Sequence, residues 1–169
     1  MSMLVVYYSW SHGNTEGIAE QLAGACGAEL ERIETLAPYP DVYQATVDQA
    51  HREIDAGFEP EIEPLGHDPS SYDVVAIGTP VWWYTMAPAV KSFLSQVDLS
   101  GKTVIAFDTS GGWPGTTLED IEAACAGTTF LPGIEARFDS TGGDRQKTPR
   151  REIDAWIESV RSGCARSDR

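Results

Sequence analysis

The sequence predicts an α/β fold, a five-stranded parallel sheet with helices on both faces. Short apolar, β-rich runs alternate with helix-spaced stretches along the whole chain, as successive β-α-β units require. The length of 169 residues suits one domain spanning 1–169, because two would each be left with a thin core. At 41% hydrophobic residues the chain can bury enough apolar surface to fold without disulfides or a structural metal.

The elements follow in order. Leu4–Tyr8 is a continuous apolar run, as a strand buried on both faces reads. Asn14–Cys26 carries Ile18, Leu22 and Cys26 at helical spacing and stops at Gly27. Glu29–Ile33 alternates like an edge strand. Ala37–Asp41 is proline-rich and turn-like, and Tyr43–Ala56 is polar and amphipathic. Val74–Gly78 reads as a second buried strand, and Ala89–Val97 as a helix with Val90, Phe93, Leu94 and Val97 on one face. A third buried strand spans Thr103–Asp108, before a helix at Leu118–Cys125. Phe130–Phe138 supplies the last strand, interrupted by Pro132–Gly133. Pro149–Arg161 closes the chain as a helix presenting Ile153, Trp156, Ile157 and Val160.

Charge narrows the function. The chain has 26 acidic residues against 12 Lys plus Arg, a formal net charge of −14. Such a protein repels phosphate backbones and anionic lipid, which argues against nucleic acid or membrane as partners. Residues 1–79 hold 14 acids against Arg32 and Arg52 alone, and Glu53–Asp73 contains seven acids and no base. This is a solvated acidic face or a docking surface for a basic protein. The cysteines Cys26, Cys125 and Cys164 form no C-x-x-C pair, which excludes a dense disulfide framework and a four-cysteine zinc site. Free thiols, no basic leader and a first apolar run too short to span a bilayer lead us to expect a cytoplasmic protein.

In open parallel sheets, ligands bind outside the carboxyl ends of the strands. Three loops therefore carry the function. The first runs Ser9, Trp10, Ser11, His12, Gly13, Asn14, Thr15 into a helix. A helix cap needs one hydroxyl or amide, and here five of seven residues are donors or Gly. With the helix dipole, that suits a phosphate. Neither G-x-x-x-x-G-K-[ST] nor G-x-G-x-x-G is present. The second loop runs Gly78, Thr79, Pro80, Val81, Trp82, Trp83, Tyr84 to Pro88. Three consecutive aromatics cannot all point inward, so at least one should face solvent or a planar ligand. In the third, Thr109, Ser110, Gly111, Gly112, Trp113 and on to Thr116, the Gly111–Gly112 pair allows close backbone approach.

These three loops in this order make the chain resemble the flavodoxin family, especially its short bacterial members. The family carries a hydroxyl-rich G-N-T loop, a G-x-P-x-W-W loop and a T-S-G-G loop, which stand here as Ser9–Thr15, Gly78–Trp83 and Thr109–Gly112. The resemblance spans nearly the whole chain. It implies a flavodoxin-like three-layer sandwich with strand order 2-1-3-4-5 and noncovalent FMN. The phosphate would sit on Ser9, Ser11, Gly13, Asn14 and Thr15, and the flavin ring between Trp82–Tyr84 and Thr109–Trp113. His12 is an extra residue in the family's phosphate loop and also stands as a candidate contact.

None of the three loops contains Lys or Arg, so negative charge on reduced flavin would go uncompensated unless a cation arrives from elsewhere. The implied function is a low-potential one-electron carrier working with basic-surfaced redox proteins. The alternative is an NAD(P)H-dependent FMN or quinone reductase of the same fold. In that branch the middle loop has Arg and Phe where this chain has Trp82 and Trp83. A phosphorelay receiver wants acids where Ser9-Trp10-Ser11 stand, Asp108-Thr109-Ser110 lacks the Gly of an aspartic-protease motif, and no G-x-S-x-G elbow is present. His12, His51 and His67 share no metal-ligand spacing.

Overall fold

The computed structural model describes residues 1–166. Five parallel strands form the sheet: β1 (Met3–Tyr7), β2 (Glu29–Arg32), β3 (Val74–Trp82), β5 (Thr103–Ser110) and β6 (Thr129–Arg137), in the order β2-β1-β3-β5-β6. This is the expected 2-1-3-4-5 order, with one addition. A two-residue strand, β4 (Thr85–Met86), pairs antiparallel with the far end of β3. The helices are α1 (Asn14–Cys26), α2 (Tyr43–Asp55), α3 (Pro88–Gln96), α4 (Thr117–Ala124) and α5 (Arg150–Arg166).

Two cores flank the sheet. Alternate residues Val5, Tyr7, Ile105 and Phe107 face Ile18 and Leu22 of α1 and Ile153, Trp156 and Val160 of α5. The others, Leu4, Val6, Val104 and Ala106, face Val90 and Phe93 of α3 and Ile121 of α4. Every β1 residue is buried, which is why that strand reads as an unbroken apolar run. The Pro132–Gly133 interruption is absorbed by a register shift between Ile105 and Phe107 of β5. A Cβ at Gly133 would collide with the Ala106 carbonyl oxygen, so glycine permits the two strands to stay in contact.

The main departure from the sequence reading is β3. The expected strand Val74–Gly78 continues through Thr79, Pro80 and Val81 to Trp82. Its pairing with β1 ends at Gly78, while pairing with β5 continues to Pro80–Thr109. Pro80 thus falls where only one neighbour remains, a position that tolerates a missing N–H. β5 likewise runs on to Ser110. The second loop is therefore largely a hairpin. None of the described helices is long and apolar enough to cross a membrane.

Candidate functional site

The first loop is shaped by two residues in left-handed conformation, Ser11 (φ 61°) and Gly13 (φ 73°). Gly13 is the N-cap of α1 and itself brings no capping side chain. The first N–H groups of a helix have no acceptor within it, so this end is open to an anion. The Ser9 hydroxyl accepts the Glu16 N–H at 3.3 Å, and Asn14 Nδ2 donates to the Gly143 carbonyl at 3.1 Å. The buried Thr15 hydroxyl lies 2.8 Å from the Thr109 hydroxyl, locking the first loop to the third. His12 and Ser11 are exposed.

The consecutive aromatics part company. Trp82 packs edge-on against Tyr8 (5.6 Å), Tyr39 (4.9 Å) and Trp10 (6.0 Å). Trp83 turns to α2, stacking on His51 at 3.9 Å and 19° and donating Nε1–H to the Val47 carbonyl at 3.1 Å. Tyr84 and Trp113 project outward, 58% and 62% exposed. Trp83 (φ 49°) and Tyr84 (φ 67°) form the two-residue turn between β3 and β4. Two positive φ values in that turn are the geometry that Asn and Gly favour. A Trp-Tyr pair there carries strain of about 1–2 kcal/mol per residue.

Three adjoining spaces open at this end of the sheet. A cavity of about 270 Å³ reaches from Ser11, Asn14 and Thr15 past Pro80, Val81, Trp82 and Trp83 to Thr109, Ser110 and Gly111. An outer cleft of about 210 Å³ separates Trp83 and Tyr84 from Gly111 and Trp113. A polar cavity of about 530 Å³ holds Ser9, Ser11, His12 and Gly13. Thr79 lines none of these. It is fully buried, and its hydroxyl donates to the Pro80 carbonyl at 2.8 Å and accepts the Ala87 N–H at 3.0 Å. Gly112 also lies off them, with the Arg137 guanidinium in the space a side chain there would take.

Several site residues escaped the sequence reading. Trp10 and Tyr43, whose rings are 5.8 Å apart, roof the cavity with Thr46, Val47 and Ala50 of α2. The stretch after β6 closes it with Phe138, Asp139, Gly142 and Gly143. The Gly142–Gly143 pair was the available signal there. The expectation of loops without a cation also changes. Arg32 enters from β2, its Nη2 donating to the Ser9 carbonyl at 3.1 Å. Arg137 enters from β6, where it pairs in register with Ser110. Parallel pairing brings both to the strand ends, from outside the three loops.

Asp108 sits just before Thr109, wholly buried, with neither carboxyl oxygen hydrogen-bonded. Burial raises its pKa to about 8, and the fields of Glu135 and Glu119 add to the rise.

The fold and the site together define a flavodoxin-like α/β protein, with an anion-ready helix start beside an aromatic wall at the carboxyl ends of the strands. The family model for flavodoxin matches residues 2–159, and the chain belongs to that family. Among solved structures it is similar to a flavoprotein of Lactobacillus acidophilus NCFM in complex with FMN. That match has 27% identity and a TM-score of 0.70, over 79% of this chain and 92% of that one. A protein of Bacteroides eggerthii DSM 20697, provisionally described as a flavoprotein, matches at 27% identity and TM-score 0.76, over 94% and 97%. A Bacteroides uniformis ATCC 8492 protein of the same description matches at 22% and 0.77, over 93% and 97%. No curated protein matches the chain.

Proposed function

We propose that the chain binds FMN and serves as a low-potential electron carrier. The observation that carries this is the start of α1, capped by a side-chain-free Gly13, opening onto a cavity that Trp83 walls and Thr109–Gly111 floors. The fit is chemical on both sides. Ser9, Ser11, Asn14 and Thr15 surround backbone donors at the positive end of a helix, and a planar ring system has indole and glycine-backbone surfaces to lie between. When bound, FMN supplies the redox chemistry. The protein holds the phosphate, places the ring and limits water.

Supporting transfer at the edge rather than turnover of a buried substrate, Trp83, Tyr84 and Trp113 stand at the rim, 41%, 58% and 62% exposed. The partners we infer are redox proteins with basic surfaces, attracted by the net charge of −14. We place the carrier in the cytoplasm, in keeping with the free thiols of Cys26 and Cys125. Anaerobic redox titration of the FMN-loaded protein should resolve two separate one-electron steps, the second well below that of free FMN. Sustained NAD(P)H consumption with a quinone acceptor would overturn the carrier reading in favour of a reductase.

A further inference from the structure

Arg32 reaches the phosphate loop already in contact with three oxygens. Nη1 donates to Glu16 Oε1 at 3.0 Å and Nη2 to the Ser9 carbonyl at 3.1 Å, while Nε forms an ion pair with Glu34 Oε1 at 2.7 Å. Glu16 stands in the first turn of α1 and also accepts the Tyr7 hydroxyl at 2.9 Å. Its other oxygen, Oε2, lies beside Gly13, 3.4 Å from where a Cβ would stand. A carboxylate is therefore lodged against the turn that should receive a dianion.

Alone, Glu16 would complement the positive end of α1 and compete with a phosphate for it. Arg32 removes that conflict. Glu16, Arg32, Ser9, Ser11 and His12 all face the same polar cavity of about 530 Å³. The Arg32 and Glu16 side chains are 37% and 36% exposed, and pairs so open to water contribute little to folding stability. The pair's consequence is electrostatic and local to the loop.

We propose that Arg32 is a positioning residue for the cofactor phosphate: by neutralising Glu16 and holding the Ser9 carbonyl, it lets the loop accept a dianion. The proposal rests on the FMN reading of the same site. FMN and riboflavin differ only by the phosphate, so comparing them isolates the effect. Riboflavin also reports whether each variant is folded.

The test is titration of apoprotein with FMN and with riboflavin, followed by flavin fluorescence, for wild type, R32Q, E16Q and the double variant. R32Q should weaken FMN by about 10- to 100-fold, the range expected for a lost charge-assisted contact. Riboflavin affinity should stay within about twofold. E16Q, which leaves Arg32 with spare positive charge, should tighten FMN severalfold, and the double variant should return to within about threefold of wild type. Equal weakening of both ligands by R32Q would overturn the proposal, as would a double variant as weak as R32Q. A wild-type protein that takes up neither ligand would defeat the FMN reading itself, before any variant is compared.

Discussion

The hydroxyls of Thr15 and Thr109 lie 2.8 Å apart in the interior, joining the start of α1 to the end of β5. One is the last residue of the Ser9–Thr15 loop and the other the first of the glycine-rich loop. A single buried contact thus fixes the spacing between the two walls of the cavity. Removing one partner leaves the other buried and unsatisfied, which costs about 1–3 kcal/mol. Thr15→Val and Thr109→Val should each destabilise by that amount in urea unfolding. The double variant, with both hydroxyls gone, should recover much of the loss. Strict additivity of the two substitutions would show that the hydroxyls do not act as a pair.

The β3–β4 turn predicts an unusual gain. Tyr84 adopts φ 67° and is largely exposed. Glycine there would release about 1 kcal/mol of strain without uncovering a core. For a chain of this length that corresponds to roughly 2–4 °C in Tm, so Tyr84→Gly should melt higher. Trp83→Gly should not, because it also gives up the His51 stack and the bond to Val47. A calorimetric scan in which Tyr84→Gly melts below wild type would refute the strain assignment.

That turn also shows where the sequence stopped being informative. β1 was legible because both its faces are buried, which leaves an apolar run with no polar alternation. Helix α1 was legible from its spacing and its Gly27 stop, which the structure holds at φ 64°. The fates of Trp82, Trp83 and Tyr84 were not. They depend on two positive φ values at residues whose types give no local hint of them. The extension of β3 past Pro80 was hidden for a related reason, since β5 remains alongside after β1 has ended. Arg32 and Arg137 reach the site through strand pairing (Tyr7 with Arg32, Ser110 with Arg137), a relation between residues far apart in the chain. The helix α2 was visible as an amphipathic stretch, but nothing in it announced that it would roof the cavity.

Arg137 alters the expected electrostatics. Its guanidinium fills the space a side chain at Gly112 would take, beside the loop proposed to floor the flavin. A cation there favours the reduction step that adds negative charge to the flavin. Arg137→Gln should make that step harder, lowering its potential by about 20–60 mV, where 59 mV is a tenfold change in a one-electron equilibrium. The lower end is the better expectation at high salt, because the side chain is exposed and screened. Spectroelectrochemistry of the two FMN-loaded proteins measures it. A potential that stays fixed or rises would show that Arg137 does not bear on the flavin.

Asp108 should impose a pH dependence on stability that one substitution removes. In the folded chain its pKa is raised to about 8, chiefly by burial, whereas in the unfolded chain it is ordinary, about 3.9. Below pH 4 both states carry the proton, and the residue adds no penalty. Between about pH 4 and 8 folding must retain a proton that the unfolded chain has released. Stability then falls as pH rises, by about 1.4 kcal/mol per pH unit for one fully linked proton. Above pH 8 the buried carboxyl ionises in the folded state too, and the penalty levels off. Asp108→Asn has no such proton. Its buried amide gives a constant offset, so the slope decides. The stability of Asp108→Asn relative to wild type should climb between pH 5 and 8 and then flatten, as read by urea unfolding across that range. Parallel profiles would mean that Asp108 finds a partner in solution and ionises as an ordinary carboxyl.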